Sequence, residues 1–281
     1  MNRTPLSPPP ASAPSAPGAV ARQADTPPRP GDSYVQSFAR GLEVIRSFNA
    51  DAPQQTLSDV AARTGLTRAG ARRILLTLQT LGYVDSDGRW FRLTPRILDL
   101  GFAYLSSLPI WNLAEPVMEQ LAEQIGESVS AAVLDGTDVV YVLRVSTRKI
   151  MRISLAAGSR LPAYCASLGR VLLAGLPDEA ARSVLAQSER TAFTRHTVTD
   201  VDALMERVRQ TRAQGWALVD QELEEGLISI AAPILGRNGQ TLAAINVSGQ
   251  ANRTSAAQMQ QTMLVPLREA AGQIGRLLAA R

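Results

Sequence analysis

Apolar residues recur at three- and four-residue steps through Val35, Phe38, Leu42, Ile45 and Phe48. This spacing predicts an amphipathic helix with one buried stripe, ended by Asp51-Ala52-Pro53. A short second helix is expected from Thr56, a good N-cap with Asp59 three residues on, and Gly65 permits the left-handed turn that stops it. A third follows Thr67, with Ala71, Ile74, Leu75 and Leu78 on its buried side and Gly82 closing it. Strands are then expected at Tyr83–Asp85 and Trp90–Leu93, because the intervening Ser86-Asp87-Gly88-Arg89 carries the Asp-Gly hairpin signal. Helix, helix, turn, helix, hairpin is the order of a winged helix-turn-helix, assigned to residues 33–94. Thr94 and Pro95 cap a linker helix over 95–109, with Leu98, Phe102 and Leu105 on its apolar side and Pro109 at its end.

From Trp111 the pattern changes. A helix to about Ile125 precedes strands at Ser128–Leu134 and Val139–Val145, joined through Asp135-Gly136. Further strand-like runs are Met151–Leu155, Trp216–Val219, Ser229–Ile234 and Leu242–Val247. Helical stretches fall at about 166–175, 178–187 and 200–213, with a last one at 255–279. A front hairpin with helices interspersed predicts an α+β domain over 110–281, built on a mostly antiparallel sheet.

Composition narrows the function classes. Nine of the 17 prolines lie in the first 30 residues with no apolar stretch between them, so residues 1–32 are expected to be a disordered tail. No apolar run reaches the roughly 20 residues of a membrane span. The net charge of +4 is modestly basic, which permits a nucleic-acid partner without demanding one. Cys165 is the only cysteine, so no intrachain disulfide can form, and a reducing, cytoplasmic location is expected.

The charge is not evenly spread. Between Tyr34 and Thr94 eight arginines face five carboxylates, a net +3. On a helical wheel the third helix keeps Ala71, Ile74, Leu75 and Leu78 on one face, Ala69, Arg72 and Arg73 on the other, and Arg68 on the flank of its first turn. Like charges so close repel, so this face is either merely solvated or made for a polyanion. Its place after the turn decides the matter, because the third helix of a helix-turn-helix lays its N-terminal half in the major groove of DNA. Arg68, Ala69, Arg72 and Arg73 are accordingly assigned to the groove. Ser58 and Thr67, at the helix starts, are assigned to phosphates, and Arg89 and Arg92 of the hairpin to the flanking backbone or minor groove. Leu76 also points outward, which the groove assignment does not explain.

Five stretches carry a wider resemblance: LSDVAARTGLTRAGARRILLTLQTLGYV, RLTPRILDLG, AGSRLPAYCASLGRVLLA, GWALVDQELEEGLISIAAPI and AAINVSGQ. In that order the chain resembles the IclR family of bacterial transcription regulators from Tyr34 onward, and looks most like the branch regulating aromatic-acid catabolism, the protocatechuate and β-ketoadipate pathways. The resemblance implies a GAF-like effector-binding domain after the linker, and a homodimer or homotetramer on a double-stranded operator. It also implies a ligand pocket at Ile150, Leu161, Ser167, Leu168, Asp220, Ser229, Asn246 and Ser248. The family often has cysteine where Ser229 stands and serine where Asn246 stands.

The residues themselves agree in part. Ser167-Leu168-Gly169 opens a helix whose free N–H groups suit a carboxylate, with Ile150, Leu161 and Leu168 as an apolar wall. Arg152 is open to two readings, a partner for the effector carboxylate or a surface ion pair. Tyr164 either covers the pocket or belongs to the core. Glu222, Glu224 and Glu225 read as a solvated run. The expected effector is an aromatic carboxylate, with a glyoxylate- or pyruvate-like acid as the alternative. Through the linker the effector is expected to bias two DNA-binding heads set about 34 Å apart.

An enzyme is a remote alternative. Zinc needs three or four ligands, usually His and Cys, whereas His196 and Cys165 are each the only residue of their kind. His196 reads as solvated and Cys165 as a small packed residue. There is no Gly-x-Ser-x-Gly elbow and no phosphate loop. No catalytic residue, metal or cofactor is expected.

Overall fold

The computed structural model of the chain describes residues 34–107, 110–146 and 155–280, which fall into two compact units divided in sequence between Ile97 and Leu98. The tail over 1–32, Pro109, Ile150, Arg152 and all of the expected strand at 151–155 except Leu155 lie outside the described residues.

In the first unit, helix α1 spans Gln36–Arg46, strand β1 Gln54–Thr56, helix α2 Leu57–Thr64 and helix α3 Arg68–Thr80; strands β2 (Val84–Ser86) and β3 (Trp90–Leu93) form the wing. The caps are those the local chemistry dictates. The Asp59 backbone N–H donates to the Thr56 hydroxyl, and the Thr56 N–H donates to the Asp59 carboxylate at 2.9 Å. Gly65 takes φ +65° at the end of α2. The buried core joins Val44, Phe48, Val60, Ala71, Leu75, Leu78, Val84 and Phe91. Leu75 is fully buried at its centre, so truncating it to alanine is expected to cost about 2–5 kcal/mol.

Three expectations need correction here. Of the expected α1 stripe only Phe48 is buried and Ile45 partly so, with Val44 buried in place of the rest; Val35 and Leu42 are exposed and Phe38 is 69% exposed. β1 was not predicted. It pairs with β3 and carries the buried Gln55, whose amide donates to the Ser47 carbonyl at 3.0 Å, so a polar residue occupies a core position. Thr94 does not cap the linker helix with its side chain; its hydroxyl donates to the Gly82 carbonyl at 2.5 Å, and Pro95–Ile97 forms a 3-10 turn.

The second unit starts with helix α4 (Leu98–Ser107) and helix α5 (Ile110–Ile125), then strands β4 (Ser128–Asp135), β5 (Asp138–Val145) and β6 (Arg160–Pro162). Helices α6 (Ser167–Ala174), α7 (Asp178–Gln187) and α8 (Val201–Gln214) follow. Strands β7 (Ala217–Asp220), β8 (Leu227–Leu235) and β9 (Thr241–Gln250) and helix α9 (Ala256–Ala279) complete it. The sheet is antiparallel in the order β6-β5-β4-β9-β8-β7. Leu98 and Phe102 of α4 are exposed, contrary to an apolar side covered within the chain. β6 was not among the expected strands. It contains Pro162, which lacks an N–H, and is tolerated because β6 is an edge strand.

Strand alternation gives each face its own core. Val129, Ala131, Ile230, Ile245 and Val247 pack with α5 and α9; Ala132, Val139, Tyr141, Ala231 and Ala244 pack with α6 and α8. A register shift between Ala131 and Ala132 lets Tyr141 and Leu143 of β5 face opposite sides, which sends Tyr141 toward α6. Every residue of α6 is buried. Its Gly169 passes so close to the preceding turn that an added Cβ would lie 2.0 Å from the Ala163 carbonyl oxygen.

Candidate functional site

In the first unit, α3 presents Arg68, Ala69, Arg72 and Arg73 to solvent. None of the three arginines makes a side-chain hydrogen bond or ion pair among the described residues, and no acidic residue stands in the first turn. Thr67 caps α3 by accepting from the Gly70 N–H at 3.1 Å, which leaves its own O–H free to donate outward. Ser58 is exposed on the first turn of α2, and Leu76 is exposed as expected.

The wing is tightly built. Asp87 accepts from the N–H groups of Arg89 and Trp90 at 2.9 and 2.8 Å, and these bonds hold its carboxyl below the ordinary carboxylate range. The Arg89 guanidinium sits 5.7 Å from the centroid of the Trp90 ring. Arg92, expected to reach DNA, is instead ion-paired with Asp85 at 2.6 Å across the two strands. Of the wing arginines, Arg89 has no carboxylate partner among the described residues, while Arg92 shares its charge within the hairpin.

In the second unit a narrow cavity lies between the sheet, the first turn of α6 and the loop joining β7 to β8. Leu161, Ser167, Ser229, Asn246 and Ser248 of the expected set line it. Ser229 and Ser248 are direct partners in the β8–β9 ladder, and the Asn246 amide donates to the Ser248 hydroxyl at 3.1 Å. The apolar wall comes from Leu155, Leu161, Val219, Leu223 and Leu227.

Two buried polar atoms among this lining have no partner among the described residues, Ser167 Oγ and Asn246 Oδ1. A buried polar atom left unbonded costs about 1–3 kcal/mol, so a site that keeps two of them is poised for a polar ligand. α6 adds the free N–H groups of its first turn, because Ala166 at its N-cap provides no side-chain bond.

Other assignments are corrected. Tyr164 does not cover the cavity: it is fully buried and its hydroxyl donates to the Thr191 carbonyl at 2.6 Å, which makes it a core residue. Leu168, also fully buried, packs between α6 and the sheet rather than lining the space. Asp220 ends β7 outside the lining and accepts from the Gln221 side chain at 3.2 Å. Glu222 is not solvated; it is buried and ion-paired with Arg170 of α6 at 2.6 Å. Tyr141, Cys165, Ala166, Val219, Leu223 and Leu227 line the cavity and were not foreseen. Burial pushes the Tyr141 phenol and the Cys165 thiol up to about 12, the latter helped by the nearby Glu222 charge, so both are neutral near pH 7.

Comparison with known proteins gives the same two-part division. The helix-turn-helix domain of IclR matches residues 37–88, and the C-terminal domain of the bacterial transcriptional regulator IclR matches residues 102–276. The Pca regulon regulatory protein of Pseudomonas putida is 43% identical over 232 residues, covering 82% of this chain and 80% of that protein. A transcriptional regulator from Rhodococcus sp. RHA1 is 48% identical, with a TM-score of 0.80 over 88% of this chain and 99% of its own. An IclR homologue from Microbacterium hydrocarbonoxydans, crystallised with 4-hydroxybenzoate, is 27% identical, with a TM-score of 0.77 over 87% of this chain and all of its own.

Proposed function

Because the chain belongs to the IclR family of DNA-binding transcriptional regulators, we propose that it controls aromatic-acid catabolic genes in response to an aromatic carboxylate held in the cavity of its second unit. The observation that carries this reading is the pair of unpartnered buried atoms, Ser167 Oγ and Asn246 Oδ1, within an otherwise leucine- and valine-walled space. The carboxylate takes the N–H groups of the first turn of α6 and the Ser167 hydroxyl. The ring lies against Leu161, Leu223 and Leu227, and Asn246, Ser248 and Ser229 meet ring substituents. The 4-hydroxybenzoate complex of the Microbacterium homologue and the Pca relationship of the Pseudomonas protein support this ligand class.

On the DNA side, Arg68, Arg72 and Arg73 face the groove, with Ala69 allowing close approach. Ser58, Thr67 and Arg89 meet phosphates, and phosphate contacts of this kind make affinity fall steeply with salt. The exposed apolar faces of α1 (Val35, Phe38, Leu42) and α4 (Leu98, Phe102) support a homo-oligomer, because surfaces of this kind are normally covered by a partner. The reading is tested by thermal denaturation with 4-hydroxybenzoate, protocatechuate, glyoxylate and pyruvate, since a ligand of the native state raises its melting temperature. A rise with the aromatic acids alone is the expected result. A rise only with the small keto acids, or none, overturns the aromatic assignment.

A further inference from the structure

The loop over residues 221–226 borders the cavity through Leu223 and is fastened on every side. At its base, the Gln221 N–H donates to the Leu227 carbonyl at 2.8 Å, and the Gly226 N–H donates to the Gln221 side-chain oxygen at 2.9 Å. From outside, the Thr194 and Thr197 hydroxyls donate to the carbonyls of Gln221 and Glu222, both at 2.6 Å. From inside, the buried Glu222 carboxylate meets the buried Arg170 guanidinium at 2.6 Å and accepts a longer bond from the Val198 N–H at 3.4 Å.

Two details indicate that this fastening is more than packing. Gln221 has φ +59°, alone among the described non-glycine residues in the left-handed region, so the loop is held in a conformation its backbone disfavours. Arg170 Nε has no partner among the described residues, so the ion pair is incompletely satisfied. Buried ion pairs add little stability because desolvation offsets their attraction; what such a pair can supply is one defined geometry. Strain at Gln221 and a specific clasp at the adjacent Glu222 concentrate the tension and the restraint at the same end of the segment.

We propose that residues 221–226 are the lid of the effector cavity and that the Arg170–Glu222 pair is its latch. The proposal rests on the effector reading above. Opening separates Glu222 from Arg170, releases the Gln221 backbone and withdraws Leu223 from the cavity, which is too narrow as it stands to hold a ring. Closing returns Leu223 onto the ligand. Arg170 stands one helical turn after Ser167 on α6, so the latch is anchored on the helix whose first turn receives the carboxylate.

Hydrogen exchange on the full chain without ligand tests the latch directly. In Glu222→Gln, amides of 221–227 are expected to exchange at least tenfold faster than in the wild type, while those of α9 are unchanged. Equal acceleration of both segments, or of neither, overturns the proposal. Thr197→Val, which removes the hydroxyl bond to the Glu222 carbonyl without touching the ion pair, guards against misfolding of the first variant and is expected to accelerate the same amides at least threefold. Unchanged exchange there also counts against the lid. Release of labelled 4-hydroxybenzoate is then expected to be about tenfold faster from Glu222→Gln than from the wild type, and equal release rates overturn the lid as the exit. If the wild type binds no aromatic acid, the effector reading fails on its own, and the exchange result still decides the latch.

Discussion

Asp85 and Arg92 face each other in the β2–β3 ladder with their side chains 2.6 Å apart, so the protein itself neutralises one of the two wing arginines. If Arg92 takes a DNA phosphate as expected for the wing, the carboxylate competes with DNA for that guanidinium. Asp85→Asn is expected to release Arg92, tighten operator binding and steepen the dependence of log K on log salt by about 1. Fluorescence anisotropy across a salt series measures both. An unchanged slope would show that Arg92 does not reach phosphate even when freed.

Among the described residues Arg72 and Arg73 have no side-chain partner, so their removal is expected to carry little structural cost that would obscure the reading. Each alanine variant is expected to lose about 1–3 kcal/mol of specific operator binding, and the double variant to lose gel-shift retention, with the thermal melt intact. Retention by the double variant would remove α3 from the groove.

Ser167→Ala separates a ligand contact from a structural one. Because the hydroxyl has no partner among the described residues, the variant is expected to be as stable as the wild type or slightly more so. Its affinity for 4-hydroxybenzoate should fall by about 0.5–1.5 kcal/mol, roughly three- to tenfold. Calorimetry alongside urea unfolding checks both; a loss of stability with unchanged affinity would make Ser167 a packing residue.

Cys165 and Tyr141 make the second unit sensitive to alkali. Their folded-state values, each about 12, lie above ordinary values of 9.0 and 10.0, so the folded state retains protons that the unfolded chain releases. Stability from these groups is full below about pH 9 and is expected to decline as pH rises toward 12, by up to about 1.4 kcal/mol per pH unit for each group within its window. Urea midpoints of the Cys165→Ala variant should decline less steeply. Parallel declines in variant and wild type would assign the alkaline loss elsewhere.

Phe38 and Phe102 are exposed by 69% and 68%. Phe38→Asp and Phe102→Asp are expected to shift the sedimentation coefficient toward the monomer without lowering helical content. An unchanged coefficient in both would place the contact between copies elsewhere.

What the sequence made readable was what neighbouring residues decide among themselves. Thr56, Asp59, Gly65 and Thr67 fix the turn between α2 and α3 by local bonds, and the wing follows from Asp87-Gly88. Periodicity told which residues of α1 share a face, but not what covers that face, so Val35 and Phe38 were wrongly placed in a core. β1 and β6 are three residues long, and their pairing depends on distant β3 and β5. Leu161, Ser167, Ser229, Asn246 and Ser248 were found through the family resemblance. Leu223 and Glu222 were missed because a run of glutamates resembles a solvated loop until Arg170 arrives from 52 positions away.

The pairing of β4 with β9 sets the order in which the molecule can be completed during synthesis. Ser128 finds its ladder partner in Ser248, 120 positions later, whereas the winged unit closes within the first 97 residues. Long-range strand pairing is slow, and N-terminal domains fold first on the ribosome. A translating ribosome therefore carries a finished DNA-reading head while the sensor is still an open sheet. A message cut short before β9 would release the first unit complete and the second without Asn246 and Ser248, the part of the cavity lining that β9 supplies.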